Sequence, residues 1–202
     1  MAEGPLVHVY AKQLRRALKN KRVEVEFGIK SLAGREPEVS GRTVVDVEAY
    51  GKQTRIHFDD HRIVLVHLMM WGSWRIYRRG AEWEKPEKQV RLVLRTDTHE
   101  AVCFSAPVIR LFTPEALASD PRFGQLGPDP LRPDFSREAW LGRITAEADR
   151  EIGDVLLDQH VVSGIGNMLR IEILWKSHVH PQRLVRELTE EEKQELLRWP
   201  RH

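Results

Sequence analysis

The chain has 202 residues, of which 41% are hydrophobic and 31% charged, with 32 basic against 30 acidic side chains. That is enough for one large or two small domains with a real core, and the balance is ordinary for a water-soluble globular protein. The near-neutral charge does not by itself announce a nucleic-acid binder. The single cysteine, Cys103, excludes an internal disulfide and a multi-cysteine zinc site built from these residues. No apolar run reaches membrane-spanning length, and "MAEGPLVHVY" lacks the basic-then-apolar pattern of a secretion signal. The expectation is a cytoplasmic protein with a buried, inert thiol.

In chain order, residues 7–20 are expected to be helical. Val9, Leu14 and Leu18 fall near helical spacing, with Lys12, Arg15, Arg16 and Lys19 as a solvated face. From Val23 to Phe112 the pattern changes to short runs rich in Val, Ile and Phe. "TVVDVEAY", "TRIHFDD", "RIVLVHLMM", "SWRIYRR", "QVRLVLRTD" and "AVCFSAPVIRLF" each read as a strand bounded by Asp, Gly, Pro or charge. So many short strands in one span predict an antiparallel sandwich or barrel. "FGQLGPDPLRPDF" concentrates Gly and Pro and marks a domain boundary. Beyond it the pattern is helical to the end. Ser136 is placed to cap one helix, and Thr189-Glu190-Glu191-Glu192 has the form of a capping box.

One stretch, "LLDQHVVSGIGNMLRIEILW" (residues 156–175), reads mostly as helix but carries Ser163, Gly164, Gly166 and Asn167 at its waist. Glycine tolerates positive φ in a tight turn. A helix starting just after that turn would point free backbone N–H groups and its positive dipole end outward, which suits an anion, and Asn167 adds an amide donor. The other reading is a glycine cap between two packed helices with no ligand.

The flanking letters favour the first reading. The stretch resembles the helix–two-turn–helix signature of the formamidopyrimidine/endonuclease VIII family of DNA glycosylases, in the pattern LLDQ, then Ser-Gly-Ile-Gly-Asn, then Glu-Ile-Leu. The resemblance implies that Gly166 and Asn167 grip the DNA backbone beside a lesion. Asp158 and Gln159 are implied to be structural members that tie the helices together. It extends to the chain start, "MAEGPL", where Glu3, Gly4 and Pro5 match, Ala2 stands where the family has proline, and Leu6 stands where it usually has glutamate. The resemblance implies that Ala2, freed by removal of Met1, is the nucleophile and that Glu3 handles protons. An α-amine, with a pKa of about 7.7–8.0, is far more often unprotonated at neutral pH than a lysine at about 10.4. "VEAYGKQTRIHF" resembles the family's strand with a Gly-Lys pair, so Lys52 is expected beside the nucleophile. "HLMMWGSWRIY" resembles the endonuclease VIII loop that enters the base stack. It makes Met69, Met70 and Trp71 the expected wedge, with Arg110 near a second intercalation position.

The resemblance covers the whole chain. It implies an α+β protein: an N-terminal helix and antiparallel β-sandwich over residues 1–130, then an all-α helix–two-turn–helix domain over 131–202. The implied activity is that of a bifunctional DNA glycosylase and AP lyase acting on oxidised bases in base-excision repair. The alternative is a non-catalytic damaged-DNA-binding relative or a finger-less fragment. Family members continue into a zinc finger or a zincless equivalent. This chain stops at "LLRWPRH", so neither a finger nor any other metal or cofactor is expected in it. The expected partner is damaged double-stranded DNA, with no membrane, for a monomer associated with the nucleoid when bound.

Overall fold

A computed structural model describes residues 2–198. Helix α1 (Gly4–Leu18) opens with Pro5 in its first turn, where a missing N–H leaves no bond unmade. Its buried stripe is Val7, Ala11, Leu14 and Leu18, one helical face. Val9, expected on that stripe, is 50% exposed; the apolar line runs through the small Ala11 instead.

Eight strands follow: β1 (Lys21–Phe27), β2 (Arg42–Tyr50), β3 (Gln53–Phe58), β4 (Ile63–His67), β5 (Ser73–Arg78), β6 (Val90–Arg95), β7 (His99–Phe104) and β8 (Val108–Phe112). Their order is β5-β7-β6-β1-β2-β3-β4-β8, and every neighbouring pair is antiparallel. Residues 21–23 of β1 pair with β2, whereas residues 24–27 pair with β6. One strand thus passes between two sheets, the corner that lets them face each other. Val23, Val25 and Phe27 point into the core between them. The run "AVCFSAPVIRLF", expected as one strand, is two. Ser105 takes φ +54°, the chain leaves the sheet there, and Pro107 follows without a donor for the ladder. Cys103 is fully buried, and burial pushes its thiol pKa up.

Strand β4 is buried on both sides. Val64 and Val66 join the main core. Ile63 and Leu65 meet Leu117 of the short helix α2 (Pro114–Ser119) and Phe123. A second core gathers Trp140, Ile144, Ile152, Leu156, Val162, Ile165, Ile173 and Leu196. They come from α3 (Arg137–Ala146), the single turn α4 (Ile152–Val155), α5 (Asn167–Lys176), α6 (Glu190–Leu196) and the segments between. Ser136 caps α3 by accepting from Ala139 N, and Thr189 with Glu192 forms the capping box of α6.

Residues 156–166, expected as mostly helical, are not. After α4 the chain turns irregularly because side chains take over backbone bonding. Asp158 Oδ1 accepts from His160 N. The Gln159 amide donates to Leu157 O and Ile165 O and accepts from Gly164 N. Expected to tie the helices together, the two residues bond the backbone of the turn itself. Among the described residues no helix is long and apolar enough to cross a membrane.

Candidate active site at the domain seam

The chain start is threaded into the seam between the two cores. Ala2 is 6% exposed, and its N donates to Met69 O at 2.9 Å. Gly4 N donates to Gly164 O at 2.8 Å. Glu3 stands at the N-cap position of α1 in extended conformation yet does not cap it. Its two carboxylate oxygens accept instead from Met168 N and Leu169 N, each at 2.9 Å, at the start of α5.

This corrects the expected use of the glycine waist. The positive end of α5 does hold an anion, but the anion is the protein's own Glu3. The two glycines serve different ends. Gly164 has φ +92° and is the left-handed residue of the turn. Gly166 has φ −114°, open to any residue, and is required for space: a Cβ there would lie 2.4 Å from the Glu3 carboxyl. Expected to make room for a phosphate, Gly166 makes room for a carboxylate. Asn167 Oδ1 accepts from Arg170 at 2.7 Å, which leaves the amide nitrogen as its free donor. Among the described residues no hydrogen bond is made by that nitrogen or by the backbone N–H of Gly166 or Asn167. These donors, rather than those of Met168 and Leu169, remain for a ligand.

Lys52 was expected on a strand; it stands in the two-residue turn between β2 and β3, where Tyr50 pairs with Gln53. Gly51 carries the turn's positive φ of +57°, as the first position of a II′ turn requires. A Cβ on Gly51 would come within 2.9 Å of Ser163, so the turn presses directly on the glycine waist. Burial lowers the Lys52 pKa, and the negative charge of Glu3 acts against that lowering.

The clamp holding these parts together is Asp129, 2% exposed. Its Oδ2 accepts from Gly51 N and pairs with His8 Nε2, both at 2.8 Å, and its Oδ1 accepts from Leu131 N at 2.9 Å. α1, the β2–β3 turn and the interdomain connection therefore share one buried carboxylate. In sequence "GPDP" reads only as a turn, so Asp129 gave no signal. A second strut joins Arg132 to Glu48, which also bonds His57. Although burial opposes it, these two partners hold the Glu48 pKa down at about 2.

A cavity of about 410 Å³ opens along the seam, lined by Lys52, Gln53, His67, Arg122, Phe123 and Gln159 among others. Sequence reading missed His67, although it begins the quoted "HLMMWG". Burial first, then the charges of Lys52 and Arg122, lower its pKa to about 4, so it is neutral at physiological pH. Its Nδ1 accepts from Met69 N at 3.2 Å, which places the proton on Nε2.

The loop 68–72 is closed by Gly72 N donating to Leu68 O at 2.9 Å, and a Cβ on Gly72 would lie 2.6 Å from that oxygen. Met70 and Trp71 project from it, 62% and 77% exposed. Met69 differs from them: it takes φ +52°, is half-buried and lends its carbonyl to Ala2. The seam therefore brings together Ala2, Glu3, Lys52, Met69 and Gly166, with Asn167 at its edge. Arg110 is not among them; it is exposed on β8 opposite Leu65 and does not line the cavity.

Comparison with known proteins agrees over both parts of the chain. Residues 1–111 match the family model described as the formamidopyrimidine-DNA glycosylase N-terminal domain, and residues 126–199 match the formamidopyrimidine-DNA glycosylase H2TH domain. The chain is similar to an Endonuclease 8 of Pectobacterium carotovorum subsp. carotovorum, 33% identical over 201 residues, which is 97% of this chain and 75% of that protein. It is 32% identical over 179 residues to an Endonuclease 8 of Escherichia coli O7:K1, covering 87% and 68% of the two chains. Among solved structures it resembles Lactococcus lactis formamidopyrimidine DNA glycosylase bound non-covalently to DNA containing an AP site. That likeness has a TM-score of 0.79 at 21% identity and covers 96% of this chain and 76% of the other; it shows the shared fold.

Proposed function

The chain belongs to the formamidopyrimidine-DNA glycosylase family, on its endonuclease VIII side, and from that premise we infer that its seam is the active site of a DNA glycosylase with AP lyase activity in base-excision repair. The observation that carries the inference is the placement of Ala2, buried and hydrogen-bonded beside Glu3.

Removal of Met1 converts the Ala2 nitrogen into an α-amine, a nucleophile at neutral pH without further tuning. The amine attacks C1′ of the damaged nucleotide. The bond from C1′ to the base breaks, and the base leaves with a proton. Opening of the sugar then gives an imine between Ala2 and C1′. The imine acidifies the C2′ proton, so the 3′ phosphate is eliminated and the strand is cut; water then releases the amine. Met69 O, as acceptor, orients the amine. The Glu3 carboxyl, held by two backbone donors beside the amine, is placed to take the C2′ proton and to pass a proton to the departing base.

Phosphate contacts hold the strand, and the flipped base sets selectivity. Lys52, the free donors of Gly166 and Asn167, and the Nε2–H of His67 supply such contacts. Met70 and Trp71 fill the gap in the duplex. Arg110 stands outside the cavity and is proposed, as the resemblance implies, near a second intercalation position. The protein is proposed to act as a monomer on damaged duplex DNA in the cytoplasm, with every chemical step made by its own groups and none by a metal or other cofactor. The resemblance to the endonuclease VIII branch favours oxidised pyrimidines as substrates. A duplex carrying one oxidised pyrimidine, resolved on a denaturing gel, tests this. Base release with strand scission supports it; tight binding to abasic DNA with no scission would establish a non-catalytic relative instead.

A further inference from the structure

A residue of the interdomain connection, which neither the family resemblance nor the mechanism above uses, is built into the same cavity. Asp120 Oδ1 accepts from the N–H groups of Arg122 and Phe123, each at 2.8 Å, and Gly124 N donates to Asp120 O at 2.9 Å. The Phe123 ring is buried with Ile63, Leu65 and Leu117. Its carbonyl accepts from Gln53 Nε2 at 3.2 Å and Arg55 Nη2 at 3.0 Å. Gly124 is pressed so close to Leu117 that a Cβ would lie 1.9 Å from Leu117 O. The backbone of Arg122 is therefore fixed on both sides. Its guanidinium is laid over the Phe123 ring at 5.1 Å and borders the cavity with Lys52 and His67.

What this guanidinium lacks is a counter-charge. Arg132, Arg150 and Arg183 are each paired to carboxylates. Among the described residues no ion pair is made by Arg122 or by Lys52. The carboxylate lining the cavity, Asp158, is committed to Arg150 at 2.9 Å and to His160 N. Two cations and a neutral imidazole thus face one concave space whose lining holds no free carboxylate; Glu3, outside that lining, acts on Lys52 and not on Arg122. Like charges so placed repel, and an anionic ligand relieves that. A planar guanidinium held in position suits two oxygens of one phosphodiester.

We propose that Arg122 is a second cationic anchor which, with Lys52, binds a phosphodiester of the DNA strand in the interdomain cavity. The proposal rests on the glycosylase reading for the identity of the ligand. Its test measures binding of a duplex with a tetrahydrofuran abasic analogue by fluorescence anisotropy, across salt from about 50 to about 200 mM. Arg122→Gln should weaken binding about tenfold at low salt and flatten the plot of log K against log salt by about 0.9. Arg122→Lys, which keeps the charge and loses the fork, should keep the slope and recover part of the affinity. Lys21→Gln should match the unaltered protein, because Lys21 lies beyond the C-terminal end of α1, about 22 Å from Glu3 along the helix. An Arg122→Gln protein with unaltered affinity and slope overturns the proposal while leaving the glycosylase reading standing. An unaltered protein that binds no abasic duplex overturns both.

Discussion

The Glu3 carboxyl lies against the backbone of Gly166, so closely that a Cβ on Gly166 would sit 2.4 Å from it. One residue at the start of the chain thereby decides why glycine stands 163 positions later at the start of α5. The substitution Gly166→Ala should expel the carboxylate from its two backbone donors. Overpacking of this kind costs about 1–3 kcal/mol, read as a lower Tm. In a Glu3→Ala background the obstacle is gone, and Gly166→Ala should cost less than about 0.5 kcal/mol. Equal costs in both backgrounds would mean that the carboxylate is not what requires the glycine.

Lys52 predicts opposite effects on stability and on DNA. Burial lowers its pKa from the ordinary value of 10.5. Between the lowered and the ordinary value the unfolded chain binds more protons, so stability gains as pH rises through that window. Below the window the buried ammonium is a standing cost. Lys52→Met should therefore raise Tm at neutral pH, and the gain should shrink as pH approaches the ordinary lysine value. The same substitution should weaken abasic-DNA binding by roughly tenfold or more. A lower Tm at neutral pH would show that the ammonium is held by partners that offset its burial.

Met70 and Trp71, mostly exposed at a loop tip, bury little surface that folding depends on. Met70→Ala and Trp71→Ala should each change stability by less than about 0.5 kcal/mol. Excision from a duplex should fall about tenfold or more, since the wedge offsets an unstacking cost of a few kcal/mol. Cleavage at an abasic site in single-stranded DNA should not change, because there is no stack to fill. An equal fall on both substrates would assign these residues to the chemistry rather than to the wedge.

Strand alternation and helix caps were legible in the sequence because both are local. Thr54, Ile56 and Phe58 of the run "TRIHFDD" alternate inward, and Ser136 and Thr189 cap as their types require. The exposure of Met70 and Trp71 at a loop tip was legible because consecutive large apolar residues before a glycine cannot all enter one face of a sheet. The destination of Glu3 was not, since its donors lie 165 and 166 residues away. Local patterning also misjudged residues 156–166, where Asp158 and Gln159 bond the backbone through side chains. Asp129 and Arg122 were invisible for a related reason: each sits in a Pro- or Gly-rich connection that reads as a turn, and its significance comes from what other segments bring to it.

The amine of Ala2, not a lysine, is expected to form the covalent intermediate. Reduction with borohydride during reaction with damaged DNA fixes the imine, and mass spectrometry of the digested adduct locates it. The expected result is a protein lacking Met1, with the sugar remnant on the tryptic peptide of residues 2–12. A trapped adduct on Lys52, or an active protein that retains Met1, would contradict it.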